Sequence, residues 1–171
     1  QLEQQLHAEF GAEACRVFAG RSADRAALLE VLQTPSPQQT ATLVLGAAGG
    51  GMTTLIARAV ADYTNGSAAC TVVRYINSSP NASTAKSLVA DLFAQLSPGQ
   101  SVPNLPSRIQ VALEKLLSEN PCTVVLDGID HLPSQDAHWL LSCIPKHLPQ
   151  GSAVLLGCAQ SNPLANAPDT A

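Results

Sequence analysis

Gly46-Ala-Ala-Gly-Gly-Gly51-Met52-Thr53 is the stretch whose reading decides what this chain is. Before it stands Thr42-Leu-Val-Leu45, a short apolar run closed by Gly46 that reads as a buried strand. After it, from Thr53 to about Tyr63, Leu55, Ile56, Ala59, Val60 and Tyr63 share one face of a helix. A glycine-rich loop between a strand and a helix is the setting in which the spacing G-x-x-x-x-G-K-[ST] cradles phosphate. Gly46, Gly49, Gly50 and Gly51 let the backbone curl so that successive N–H groups face an anion. The helix start at Thr53 and Thr54 adds the positive end of a dipole. The lysine of that spacing is absent. Met52 stands in its place, and a thioether is a weak acceptor with no charge to offer the β and γ phosphates. A tight turn that merely packs the helix against the strand would use the same glycines.

The downstream sequence bears on that choice. Thr123-Val-Val-Leu-Asp127-Gly-Ile-Asp130 is an apolar strand that ends in a carboxylate. Such an aspartate can hold Mg²⁺ together with the Thr53 hydroxyl, or it can cap a helix. Open parallel sheets bind ligands where strand ends converge, and the glycine loop, Thr53 and Asp127 fall on two such ends. Asp130 can act as a base that positions water if it faces a γ phosphate; bracing its own loop is the equal alternative.

Around these motifs, strands and helices alternate. Residues 1 to 10 fit a helix, and a second begins at Ser22 to Asp24 with Ala26, Leu28, Leu29, Val31 and Leu32 on a 3.6-residue repeat. Pro35 and Pro37 end it. Asn65-Gly66 turns into a second strand, Cys70 to Ile76. Helices bearing Leu88, Val89, Leu92, Phe93 and Leu96, then Ile109, Ala112, Leu113, Leu116 and Leu117, precede the third strand, Cys122 to Leu126. A helix near Ser134 to Ile144 and a fourth strand, Ser152 to Leu156, follow. This alternation of apolar strands with helices predicts an α/β three-layer sandwich, with a parallel sheet covered on both faces. It divides the chain into a helical lead-in (1–33), a core (40–162) and a flexible tail (163–171). The helical opening and the Pro-rich close suggest a domain cut from a longer protein.

Composition narrows the function classes. The chain of 171 residues is 46% hydrophobic and 13% charged, enough apolar content for a packed core. A net charge of -4 offers no basic surface for nucleic acid or an anionic membrane. No apolar run approaches the roughly 20 residues that span a bilayer, and the first residues lack the order of a signal peptide, so a cytoplasmic protein is expected. The five cysteines have no close pairs in sequence and are read as free structural thiols. The four histidines show no metal-ligand spacing with them, so no zinc site is expected.

Taken together, the motifs resemble the STAND class of phosphate-loop NTPases, and within it the NACHT-like domains of large repeat proteins such as telomerase-associated and tetratricopeptide-repeat proteins. The marks are Phe18-Ala-Gly20-Arg21, similar to a V-G-R segment near the adenine; the loop from Gly46 to Thr53; Asp127-Gly-Ile-Asp130, similar to D-G-x-D-E; and Trp139 followed by His147-Leu-Pro-Gln-Gly151. The resemblance implies a P-loop NTPase sheet ordered 2-3-4-1, with a fifth strand and further helical regions outside these residues. It implies bound ADP or ATP with Mg²⁺, with Arg21 at the nucleoside end. It also implies a switch that controls homo-oligomerisation and protein partners recognised by regions beyond this chain. The sequence departs from the family at Met52 and at His131, where an acidic residue belongs, and both departures argue against efficient hydrolysis. Gln160 is a candidate γ-phosphate sensor. Arg58 and Lys86 are the nearest cations in sequence, although Arg58 lies more than a turn into its helix. Three functions stand open: a degenerate nucleotide switch, which is favoured; an active ATPase driving oligomerisation; and a structural domain that binds no nucleotide.

Overall fold

Runs rich in Val, Leu and Thr pleat into four strands because branched side chains fit a half-buried sheet surface. They are β1 (Thr42–Gly46), β2 (Cys70–Tyr75), β3 (Cys122–Asp127) and β4 (Ala153–Ala159). The structure is a computed structural model that describes residues 2–34, 41–66 and 70–159. Every strand pair is parallel, and the sheet order is β1-β4-β3-β2, the expected 2-3-4-1 read from the opposite edge.

Six α-helices lie among the described residues: α1 (Leu2–Ala14), α2 (Ser22–Gln33), α3 (Met52–Gly66), α4 (Ala85–Leu96), α5 (Pro106–Glu119) and α6 (Ser134–Cys143). Local chemistry sets several of their starts. The Thr84 side chain accepts a bond from the Ser87 N–H and so caps α4. Pro106 opens α5 at a position where no N–H is needed.

The two-residue period of the strands sorts their side chains onto two cores. Cys122, Val124 and Leu126 of β3 face the layer built by α4, α5 and α6, where Phe93, Ile109 and Leu140 are buried. Val125, one residue out of phase, faces Leu28 and Leu32 of α2 and Leu55, Ile56 and Val60 of α3. The result is the expected three-layer arrangement. Each fully buried Leu or Ile in these layers contributes about 1.5–3 kcal/mol of transfer free energy.

The edge strand β2 is anchored by polar contacts. Arg74, almost fully buried, donates from Nε to Asp91 at 2.6 Å and from Nη2 to the Gln95 side chain at 2.7 Å, which ties β2 to α4. On the other side, His7 of α1 accepts the Tyr75 N–H at Nδ1 over 3.1 Å.

The structure corrects several expectations. β1 is not a fully buried strand. It lies at the sheet edge, and Leu43 and Leu45 are 42% and 41% exposed. Their register partners Leu156 and Cys158 belong to the core under α4–α6, so the open surface is on that face. β4 runs three residues beyond Leu156, which places Gly157 inside the strand. α1 extends to Ala14, and α3 starts one residue early, at Met52. All five thiols are free, but Cys70 is exposed. Cys70 and Cys122 are register partners with sulfurs 3.2 Å apart, a proximity created by strand pairing and invisible in sequence spacing. Pro35, Pro37, Gln160 and the tail 163–171 lie outside the described residues. Within those residues no helix is long and apolar enough to cross a membrane.

Candidate functional site

The site begins where β1 gives way to α3. Gly49 and Gly51 both adopt a φ of 73°, a conformation that side chains disfavour. Between them the Gly50 N–H donates to the Ala47 carbonyl at 2.9 Å, and a Cβ on Gly50 would lie 2.9 Å from that same oxygen. The glycine run is therefore demanded by the path of the loop. The first helical bond of α3 runs from the Leu55 N–H to the Gly51 carbonyl at 3.0 Å. The N–H groups of Met52, Thr53 and Thr54 consequently have no acceptor within the helix and form its positive, anion-accepting end.

Met52 does not reach outward from that end. Its sulfur would lie 3.2 Å from a Cβ on Gly46, and its side chain packs against the core shared by α2 and α3. The residue that replaces the lysine thus acts as a hydrophobe at the base of the loop.

Asp127 closes β3 and is only 3% exposed. Its carboxylate accepts a hydrogen bond from the Thr53 side chain, so the pair expected from sequence is in direct contact. Burial raises the Asp127 pKa above the ordinary carboxylate value. The Thr53 bond opposes this, the Asp130 charge adds to it, and His131 and the Gly128 N–H oppose it. Across the sheet, a Cβ on Gly157 would fall 2.2 Å from Asp127 Oδ1 and 2.8 Å from Ile56 Cδ1. The carboxylate therefore occupies a notch that only glycine leaves open. A carboxylate and a hydroxyl side by side are both hard oxygen donors of the kind that Mg²⁺ takes.

Asp130 follows in the turn that ends β3. Gly128, with φ 85°, donates its N–H to the Gly157 carbonyl at 3.1 Å. Asp130 Oδ1 accepts the Ala159 N–H at 3.1 Å, while its Oδ2 lies 3.7 Å from His131 Nε2. One oxygen of the candidate base is thus engaged in holding the end of β4.

Arg21 comes to the loop from the start of α2. Its backbone is left-handed, with φ 50° and ψ 34°, and its Nε meets Asp24 Oδ2 at 2.8 Å. Its Nη1 donates to the Gly50 carbonyl at 2.9 Å. This contact to the loop backbone had no signal in sequence, because residues 21 and 50 are joined only by folding. The same holds for Gly157 beneath Asp127. Arg58 is held by Asp62 at 3.2 Å, and Asp62 also takes Arg25 at 2.5 Å, which accounts for both of these arginines away from the loop. Lys86 is exposed in the first turn of α4, in the opposite helical layer. A cavity of about 310 Å³ lies between α1, α3 and β2, lined by His7, Gly11, Ala57 and Tyr75 among others; no residue of the glycine loop lines it.

Comparison with protein families matches the AAA ATPase domain over residues 17–156. Comparisons with curated proteins and with solved structures gave no match. The match runs from just before Phe18 into β4 and takes in the glycine loop, Thr53, Asp127 and Asp130. By its fold and by this match, the chain belongs to the AAA ATPase domain family, a family of P-loop NTPases.

Proposed function

We propose that this domain binds ADP or ATP weakly at the start of α3 and serves as a nucleotide-responsive switch or scaffold with slow or no turnover. The observation that carries the proposal is the Thr53–Asp127 hydrogen bond beside a phosphate loop that lacks its lysine. The amides of Met52, Thr53 and Thr54 would receive the phosphates. Thr53 and Asp127 would hold Mg²⁺, which when bound neutralises charge on the β and γ oxygens. Met52 supplies no cation, so both nucleotide affinity and stabilisation of the transferring phosphoryl group are lower than in a lysine-bearing loop. Asp130 would be the carboxylate that orders water, while its bond to the Ala159 N–H favours a bracing role and slow chemistry.

At a finer level, Phe18-Ala-Gly20-Arg21 and Asp127-Gly-Ile-Asp130 support a NACHT-like place within the STAND class. Nucleotide exchange would then govern homo-oligomerisation, with protein partners bound by regions outside this chain. A nucleotide-free structural role is the second reading. It is favoured by the Gly50 N–H already engaged by Ala47 and by Met52 packed over Gly46.

Thermal unfolding in millimolar ADP or ATP, with and without Mg²⁺, separates the two. A ligand at 100 times its Kd stabilises a fold by about 2.7 kcal/mol. A Mg²⁺-dependent rise in Tm with turnover below about 1 s⁻¹ supports the switch. No rise with any nucleotide supports the structural role.

A further inference from the structure

We infer that Arg21 charges the phosphate loop through its backbone and so replaces part of the cation that Met52 cannot supply. This rests on the nucleotide-binding reading above and makes Arg21 a positioning residue acting at the phosphate end. Arg21 Nη1 donates to the Gly50 carbonyl at 2.9 Å. No peptide bond among the described residues is cis, so the Gly50 C=O and the Gly51 N–H belong to one planar trans unit and point in opposite directions. A guanidinium on the oxygen draws electron density toward it and leaves the N–H on the far side a stronger donor. Charge-assisted bonds are roughly twice as strong as neutral ones, and such polarisation adds about 10–30% per bond along a chain. The charge thus sits on the carbonyl side of that peptide while its effect reaches the donor side, one residue before the open amides of α3.

The arrangement is held in place. Arg21 adopts a left-handed backbone that a non-glycine residue enters at a cost. Asp24 grips Nε at 2.8 Å, which fixes the plane of the guanidinium against the loop. The side chain is 38% exposed, so the contact is not forced by burial. Arg25 and Arg58 are both engaged by Asp62, which leaves Arg21 as the arginine bonded to the loop among the described residues.

The test is calorimetric titration of the whole chain with tripolyphosphate, ATP, ADP and adenosine. It compares wild type, Arg21→Gln, Arg21→Ala and Arg21→Lys, with each Arg21 variant repeated in a Met52→Lys background. Glutamine can keep a neutral bond to Gly50 and removes only the charge. Arg21→Gln is expected to weaken tripolyphosphate and ATP about tenfold, ADP less, and adenosine not at all. The loss should shrink at least threefold once lysine stands at position 52, because both cations serve the same phosphates. Unchanged tripolyphosphate affinity overturns the inference, as does an equal loss for adenosine and ATP, which would put Arg21 at the nucleoside. Circular dichroism checks that Arg21→Gln folds. If it does not, Arg21→Ala carries the test, since loss of the cation should weaken tripolyphosphate and spare adenosine, whereas Arg21→Lys, which keeps the charge, should stay within about threefold of wild type. If neither wild type nor Met52→Lys binds ATP or tripolyphosphate, the nucleotide reading itself fails, a result distinct from a failure at Arg21 alone.

Discussion

Asp127 is an acid held where its charged form is disfavoured, with the Thr53 hydroxyl as its nearest support. Its folded pKa is raised above the ordinary 3.8, so in the window between the two values the folded state keeps a proton that the unfolded state has lost. Stability therefore falls as pH rises through that window and stays lower above it. Asp127→Asn should stabilise the nucleotide-free domain at pH 7 by about 1 kcal/mol, a rise in Tm of about 2–4 °C. It should also remove the Mg²⁺ dependence of nucleotide binding; a melting series from pH 4 to 8, repeated with Mg²⁺ and ADP, reads both effects. At Gly157 the prediction runs the other way. A methyl group there would meet Asp127 Oδ1 and Ile56 Cδ1, so Gly157→Ala should cost about 1–3 kcal/mol in urea unfolding. At this scale the sequence pointed to the candidate residues and hid what supports them. Thr53 and Asp127 were legible as a candidate pair because one closes a glycine loop at a helix start and the other ends an apolar strand. Gly157 was not, since a glycine inside an apolar run carries no sign of what approaches it from the neighbouring strand.

Among the elements, α1 buries one side chain, His7, against β2. His7 accepts the Tyr75 N–H at Nδ1, and its Nε2 is buried with no hydrogen-bond partner, 3.7 Å from Glu3. Burial lowers its pKa below 6.5, the Arg74 charge adds to the effect, and Glu3 and Asp91 oppose it. Below 6.5 the unfolded state takes up a proton that folded His7 resists, so acid weakens the docking of α1. Amide exchange in α1 should quicken several-fold, relative to α3, between pH 7.5 and pH 5.5 after correction for intrinsic rates. His7→Gln should remove that difference, and an unchanged ratio in the wild type would contradict the role given to His7. Element types and their order were readable from periodicity, and β3, buried throughout, matched its unbroken apolar run. β1 has the same apolar character yet lies at the edge, because strand order depends on which crossovers cover which strands, and periodicity within one strand does not encode that.

For the whole molecule, the parallel sheet gathers the glycine loop, Thr53 and Asp127 at one end, while the helical layers cover β2, β3 and β4 and leave one face of β1 open. The family and the fold follow from that arrangement. The missing cation is what sets this chain apart from a lysine-bearing loop, and its effect is testable by restoring it. The direct measurement is the Kd for ATP with Mg²⁺, together with steady-state turnover, for wild type and Met52→Lys. The account predicts that lysine tightens binding about tenfold or more, in line with a charged hydrogen bond to phosphate, and raises turnover from a low wild-type value. Wild-type turnover of about 1 s⁻¹ or faster, or a Met52→Lys variant that binds no better than wild type, would contradict it.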